Sequence, residues 1–258
     1  MKKYLPLALA GMVGATMIAP SIAGAMTTRN VAYDSTPAKG TVSVPSVGPE
    51  AYSFNEVGDE VILRPHSTIG HVKVTMESWA CESGSWQSGC MTTPGATFKT
   101  PITLSLYRYS KRDATTGEVK PGKLITQITR TFSIRYRPSS QSDTESRFMG
   151  KDGQLHNGIA QTISFPVNRN LPNDVVWTVG YNTNTSGHAP LGHTSPTDSL
   201  NVGLSPRARV SHDRFPGSII WDTRSAGFTG GAPFVPGELN LDRDAWAGYV
   251  PAARFTVR

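Results

Sequence analysis

The chain has 258 residues, of which 38% are hydrophobic and 17% are charged, and its net charge is +6. A chain of this length can bury a core without metal ions or many disulfides, which argues against a small disulfide-dependent scaffold. The positive excess is mild and spread along the chain, whereas nucleic-acid-binding domains concentrate Lys and Arg on one face. We therefore expect no nucleic-acid partner.

The N-terminal segment has the pattern of a secretory signal peptide. Lys2 and Lys3 precede an uncharged apolar stretch over residues 4–20, and residues 23–25 supply the small-residue motif that signal peptidase cleaves. A transmembrane anchor is the alternative, but the stretch is short for a bilayer that needs about 20 apolar residues. We predict a signal peptide over residues 1–25, a secreted protein that is periplasmic or extracellular, and no transmembrane segment in the mature chain.

The mature chain is expected to hold one domain. Residues 26–48 are polar and contain Pro and Gly, so we predict a flexible N-terminal arm there. Residues 49–258 show no internal repeat and no linker between segments of different composition. This uniformity indicates a single domain over residues 49–258.

Alternating apolar and polar residues predict β-strands through most of this domain. Val72, Val74 and Met76 alternate with polar neighbours, as in a half-buried strand. The same pattern recurs in residues 102–107, 124–136, 162–165, 175–181, 199–204 and 253–257. No segment shows helical spacing, and 25 Gly and 19 Pro supply the turns. The pattern predicts an all-β fold, an antiparallel β-sandwich that is jelly-roll-like with long irregular loops, and a closed barrel is the alternative.

The two cysteines, Cys81 and Cys90, are predicted to form a structural disulfide. An exported chain meets an oxidising compartment, and the Gly and Ser residues between the two cysteines let the ends of the loop meet. Two thiols alone cannot complete a structural zinc site, and a redox pair is normally spaced C-x-x-C.

Candidate catalytic and metal-binding residues are scattered. His188 and His193, followed by Asp198, could meet a metal ion on a loop, but their spacing fixes no geometry. Residues 211–213 are Ser, His and Asp, yet consecutive residues cannot form a catalytic triad. The carboxylates show no spacing typical of a glycosidase pair. We therefore expect no metal and no cofactor, and we favour a protein without catalytic activity.

Three aromatic residues are predicted to bind a ligand. Trp86 lies inside the disulfide loop, and Tyr107 and Tyr109 share one face of a strand, opposite Leu104 and Leu106. Exposed aromatic rings stack on sugar rings or fill pockets of a partner. The alternative for Trp86 is that its ring folds back over the edge of the sandwich.

Several sequence blocks together resemble a family of uncharacterised secreted bacterial β-sandwich proteins. The blocks are VTMESWAC (74–81), TTPGATF (92–98), DSLNVGL (198–204) and GYVPAARF (248–255). The resemblance implies export, a β-rich fold and, in some members, attachment to the cell surface, but it implies no activity. Some relatives carry further cysteines in the later loops, and this sequence has none there, which leaves those loops less restrained.

These expectations together predict an exported, non-catalytic binding or surface module whose partner is a glycan or an anionic envelope polymer. A secreted hydrolase with a site assembled from loops is one alternative. A structural or assembly protein whose strand edges pair with other chains is another. The sequence leaves the ligand and the oligomeric state open.

Overall fold

The computed structural model describes residues 30–48, 56–65, 68–110, 122–142, 144–181, 186–188, 199–215, 219–222, 240–242 and 248–258. These residues contain no helix and form eighteen strands. In chain order they are β1 (Val31–Asp34), β2 (Ser46–Val47), β3 (Glu56–Ile62), β4 (Thr68–Ser78), β5 (Ser83–Ser85), β6 (Ser88–Met91), β7 (Thr97–Arg108), β8 (Leu124–Arg135), β9 (Phe148–Met149), β10 (Leu155–His156), β11 (Ile159–Asn170), β12 (Asp174–Tyr181), β13 (Leu200–Ser205), β14 (His212–Asp213), β15 (Ile219–Asp222), β16 (Asn240–Asp242), β17 (Val250–Pro251) and β18 (Ala253–Val257). The described residues therefore include no helix able to span a membrane.

Most strands belong to two seven-stranded antiparallel sheets. Sheet 1 is built around β4, which pairs with β11 along one edge and with β18 and β13 along the other. β1 extends sheet 1 beyond β18, while β2 and β17 pair with β13. Sheet 2 has the order β16-β15-β3-β12-β7-β8, with β14 also paired to β3. Two short hairpins, β5–β6 and β9–β10, complete the described structure.

The inner faces of the two sheets share one hydrophobic core. Val72, Val74 and Met76 of β4 have no exposed surface, and they belong to the same apolar cluster as Leu104 of β7 and Trp177 of β12. Full burial of each such side chain stabilises the fold by about 1.5–3 kcal/mol. The predicted antiparallel β-sandwich is thus confirmed, because the strands form two separate sheets stacked through their apolar faces rather than one closed sheet.

Residues 30–48, predicted to belong to a flexible arm, instead contribute two strands. β1 pairs with β18, all four of its residues are buried, and Tyr33 packs edge-on against Phe255 with ring centroids 6.0 Å apart. Pairing with a strand more than 200 residues away in the sequence stabilises this short segment, and local alternation could not reveal that partner. The predicted signal peptide (1–25) lies outside the described residues.

The predicted disulfide between Cys81 and Cys90 is confirmed, with a Cα–Cα distance of 5.5 Å. It closes the β5–β6 hairpin. Arg137 has no exposed surface and donates hydrogen bonds from its guanidinium to the carbonyl oxygens of Trp86 at 3.1 Å and Ser146 at 2.5 Å. This buried cation therefore fastens the hairpin to the loop that precedes β9.

Candidate functional site

A cleft of about 1070 Å³ lies over the outer face of sheet 1. Lys73 and Thr75 of β4 and Arg254 of β18 form its floor, because these residues alternate with the inward-facing core residues of their strands. Residues 36–41, which follow β1, form one wall, and Lys151 lies at the turn of the β9–β10 hairpin. We call this space the cationic cleft.

Positive charge dominates the described lining of the cationic cleft. Among the described residues that line it are six cationic side chains and one carboxylate, and none of these described residues is aromatic. The cations are Lys39, Lys73, Arg135, Lys151, Arg209 and Arg254, and the carboxylate is Asp34. Such a concentration of one sign of charge in a concave surface attracts and concentrates anions.

Asp34 pairs with two of the cleft arginines. One carboxylate oxygen accepts hydrogen bonds from the backbone N–H and the hydroxyl of Thr36, at 2.9 and 2.6 Å. The other lies 3.2 Å from Nη2 of Arg209 and 3.9 Å from Nε of Arg254. Backbone hydrogen bonds between Asp34 and Val210 also join the end of β1 to the segment that carries Arg209. The single acid is thus already occupied by protein groups.

Arg135 lies where the edges of the two sheets meet. Its Nη2 donates to the carbonyl oxygen of Ala160 at 2.6 Å, and its backbone N–H donates to Gln161 at 2.9 Å. Gln161 in turn donates to the carbonyl oxygen of Ser133 at 2.8 Å. These bonds join β8 of sheet 2 to β11 of sheet 1 and hold the Arg135 guanidinium at the cleft.

Glu77 anchors the chain that continues from the cleft wall. Its carboxyl oxygens accept hydrogen bonds from the Ser43 hydroxyl at 2.6 Å and the Val44 backbone N–H at 3.3 Å. Burial raises the pKa of Glu77 to about 8, although these hydrogen bonds and the nearby Arg135 act in the opposite direction. The protonation state of Glu77 is therefore coupled to the attachment of residues 43–44.

A smaller space of about 240 Å³ adjoins the cationic cleft. We call it the side pocket. The side chains that line the side pocket but not the cationic cleft are apolar, namely those of Val42, Pro138, Phe148, Met149 and Ile159. Phe148 is buried, whereas Met149 is 52% exposed at the rim. The two spaces have four lining residues in common, namely Thr41, Arg135, Lys151 and Ala160.

The three aromatic residues predicted to bind a ligand do not form one surface. Trp86 packs edge-on against Trp79, with centroids 4.8 Å apart, beside the beginning of β7. Tyr107 lies ten residues further along that strand, about 33 Å away at the usual rise. It is only 2% exposed, and its hydroxyl donates to Glu56 at 3.2 Å.

Tyr109 accompanies Tyr107 at the end of β7. It packs against the apolar cluster of the outer face of sheet 2, and the Arg214 guanidinium lies 4.1 Å from its ring centroid. Burial and the Glu56 carboxylate raise the pKa of Tyr107 above its usual value. Both tyrosines are thus engaged by protein groups, and the prediction that they contact a ligand gains no support from their packing.

The described carboxylates provide no open catalytic pair in the cationic cleft. Asp59 lies on the inner face of β3, where burial and the neighbouring Asp213 raise its pKa well above the usual range. The described residues contain no group of three or more His, Cys, Asp or Glu side chains arranged to hold a metal ion. His188 is exposed, and His193 and Asp198 lie outside the described residues.

Sequence reasoning did not identify the cleft residues as a site, although part of the signal was present. Lys73 occupies an outward-facing position in the alternation of β4, and Arg254 does so in β18. Only the pairing of these two strands places Arg254 directly opposite Lys73. The cluster is therefore a product of tertiary structure rather than of a sequence motif.

Comparison with known proteins supplies no relative for this chain. No protein-family model, no curated protein and no solved structure matches it. A functional proposal therefore depends on the residues of the cationic cleft.

Proposed function

We propose that this protein is an exported, non-catalytic binding module that holds an anionic polymer, specifically an acidic glycan, in the cationic cleft. The observation that supports the proposal best is the convergence of six cationic side chains with one carboxylate in a cleft of about 1070 Å³. The expected partner class, a glycan or anionic envelope polymer, remains the one that fits this lining best.

The cleft cations suit a polymer with repeated negative charges. Lys39, Arg135, Lys151 and Arg209 are exposed, and Lys73 and Arg254 are half-buried, so all six keep much of their hydration. Contact with a polyanion releases its condensed counterions, which favours binding without any need to bury the protein charges. Binding of this kind weakens as salt rises, because the Debye length falls to about 3 Å at 1 M.

The same lining disfavours the hydrolase alternative. A glycoside hydrolase needs two carboxyl groups about 5–10 Å apart across the scissile bond. Within the described residues, Asp34 is the only carboxylate that lines the cleft, and it is engaged by Thr36, Arg209 and Arg254. We therefore favour retention of the polymer over its cleavage.

Single-stranded nucleic acid is also an anionic polymer, but proteins bind it with aromatic side chains on which the bases stack. Within the part of the chain that the structure describes, no aromatic residue lines the cationic cleft. Export forms part of the proposal and rests on the signal-peptide pattern of residues 1–25 together with the Cys81–Cys90 disulfide. An acidic glycan is accordingly preferred.

Binding to alginate, a polyuronate, tests the proposal, with neutral dextran and a single-stranded oligonucleotide as comparison ligands. We expect alginate binding that weakens steeply with salt and no binding to dextran. The double substitution K73E/R254E should weaken alginate binding by about tenfold or more, because each cation near a polyanion contributes about 1 kcal/mol.

The matched control is K99E/R130E, which makes the same change in net charge on two exposed residues of β7 and β8 outside the cleft. This control should bind alginate nearly as the unsubstituted protein does. Equal losses in both variants would indicate a diffuse charge effect and would contradict the proposed site. Tighter binding of the oligonucleotide than of alginate would overturn the choice of ligand.

A further inference from the structure

The apolar side chains of the side pocket indicate a feature of the ligand that the charge of the cationic cleft does not. Six apolar side chains of the described residues line it, including Phe148 and Met149 of β9 and Ile159 of β11. Phe148 is buried, and the buried Arg137 guanidinium lies over its ring, 5.5 Å from the ring centroid. A firm apolar wall is thus present immediately beside a strongly cationic surface.

Two cations stand at the border between the side pocket and the cationic cleft. Arg135 and Lys151 line both spaces, together with Thr41 and Ala160. The Arg135 guanidinium is oriented by its 2.6 Å hydrogen bond to the carbonyl oxygen of Ala160. An acidic group placed at these cations would have the apolar side chains of the side pocket on one side and the remainder of the cleft on the other.

We propose that the side pocket receives a small apolar substituent carried by the glycan beside one of its acidic groups, so that the preferred ligand is an acylated acidic polysaccharide. This inference rests on the proposed function and names the ligand class more closely. Arg135 and Lys151 pair with the acidic group, while Val42, Met149 and Ile159 contact the acyl methyl.

The size of the side pocket favours a short substituent over a lipid chain. A cavity of about 150 Å³ lined by apolar side chains holds one benzene molecule. The side pocket, at about 240 Å³, is not much larger. It therefore accommodates an acetyl or similar acyl group next to the sugar ring, whereas a long acyl chain would extend beyond it into water.

A pair of probes that differ only in acylation tests this inference: alginate and O-acetylated alginate of equal length and uronate content, titrated calorimetrically. The acetylated chain should bind about fourfold more tightly, the effect of burying one methyl group. The M149A variant should lose most of this preference while retaining its affinity for plain alginate. The matched control M91A changes a methionine that is 66% exposed on the disulfide hairpin, outside both spaces, and should keep the preference.

The outcomes separate this inference from the proposed function. If neither alginate binds, the proposed function fails, and the inference fails with it. If both bind equally, the cleft stands as an anion site and the side-pocket inference is overturned. Binding of palmitate in preference to acetylated alginate would assign the side pocket to a lipid and would also overturn it.

Nuclear magnetic resonance of the unsubstituted protein tests the same contact without relying on M149A, which could alter the fold. With methionine methyl groups labelled with carbon-13, the Met149 resonance should shift on addition of O-acetylated alginate and much less with plain alginate. The Met91 resonance serves as the internal reference and should stay unchanged with both. Equal shifts of the Met149 resonance with the two polymers would contradict contact between this methionine and the acyl group.

Discussion

The cationic cleft and strand β3 keep charges of opposite sign in opposite environments. In the cleft, Lys73 and Arg254 lie on the outer face of sheet 1 and retain access to water. In β3, Glu56, Asp59 and Glu60 have no exposed surface. A buried carboxylate needs hydrogen-bond partners or a proton, because transfer of a charge out of water is costly.

This difference separates charges that support the fold from charges available to a ligand. Glu56 accepts hydrogen bonds from the hydroxyls of Tyr107 and Thr178, so it is committed to the outer face of sheet 2. Of the six cations in the described lining of the cleft, two pair with the carboxylate of Asp34, namely Arg209 and Arg254. Stability should therefore respond to the buried carboxyls, and affinity should respond to the cleft.

The largest effect is expected at Glu77, whose pKa is raised by burial to about 8. A carboxyl with a raised pKa in the folded state contributes stability below its unfolded pKa of about 4.3, and that stability is lost as pH rises. The loss should total about 5 kcal/mol by pH 8.5, since one pKa unit corresponds to about 1.4 kcal/mol. The variant E77Q should match the unsubstituted protein at low pH and exceed its stability at pH 8.5, as measured by urea unfolding.

The control for this prediction is E82Q. Glu82 is exposed, and the Thr93 backbone N–H, which donates to it at 2.6 Å, lowers its pKa. Because Glu82 stays ionised throughout the range from pH 5 to 8.5, the stability difference between E82Q and the unsubstituted protein should not vary with pH there. A pH-independent difference for E77Q as well would show that Glu77 is not protonated in the fold.

Removal of the Glu56 carboxyl should have the next largest effect. E56A leaves the hydroxyls of Tyr107 and Thr178 without their acceptor in a buried site, and each such group costs about 1–3 kcal/mol. We expect a loss of about 3 kcal/mol in the free energy of unfolding. E56Q keeps an acceptor oxygen and should lose clearly less, so similar losses in the two variants would argue against the hydrogen bonds as the cause.

The smallest effect is expected at Asp34, the one acid among the described residues that line the cleft. D34N should tighten alginate binding by about threefold at low salt, because it removes a negative charge that repels the polymer, an effect the size of one charge pair. The gain should be smaller in high salt because the added ions screen the charges of the polymer. E145Q removes a half-buried carboxylate outside the cleft and should leave alginate binding unchanged. Weaker binding by D34N would mean that Asp34 acts mainly by positioning Arg209 and Arg254.

The sheet pattern could be predicted from the sequence wherever one face of a strand is buried over many residues. β4 is such a strand, with Val72, Val74 and Met76 inside and Lys73 outside. β1 was not predicted, because a four-residue segment carries too little alternation to be distinguished from a loop. Its stability comes from contacts with β18, which no local pattern reports.

The cationic cleft could not be predicted, because its charges come from six separated positions between residues 39 and 254. Each of them alone is typical of a solvated surface. The prediction that aromatic residues bind a ligand was based on their positions in the sequence, but the exposure of a side chain depends on what packs against it in the fold. Tyr107 alternates correctly with Leu106, yet Glu56 and Thr178 occupy the space around its hydroxyl.

The position of β18 between β1 and β4 determines when these strand pairs can form as the chain is made. The Ser35 hydroxyl donates a hydrogen bond to the carbonyl oxygen of Ala253, 218 residues away. β1 and β18 therefore cannot pair until residues 253–257 have left the ribosome. Contacts of such long sequence separation form slowly. The β1–β18 pairing therefore forms late in the life of a newly made chain, whereas Ala32 and Asp34 of β1 can bond Arg64 and Val210 earlier.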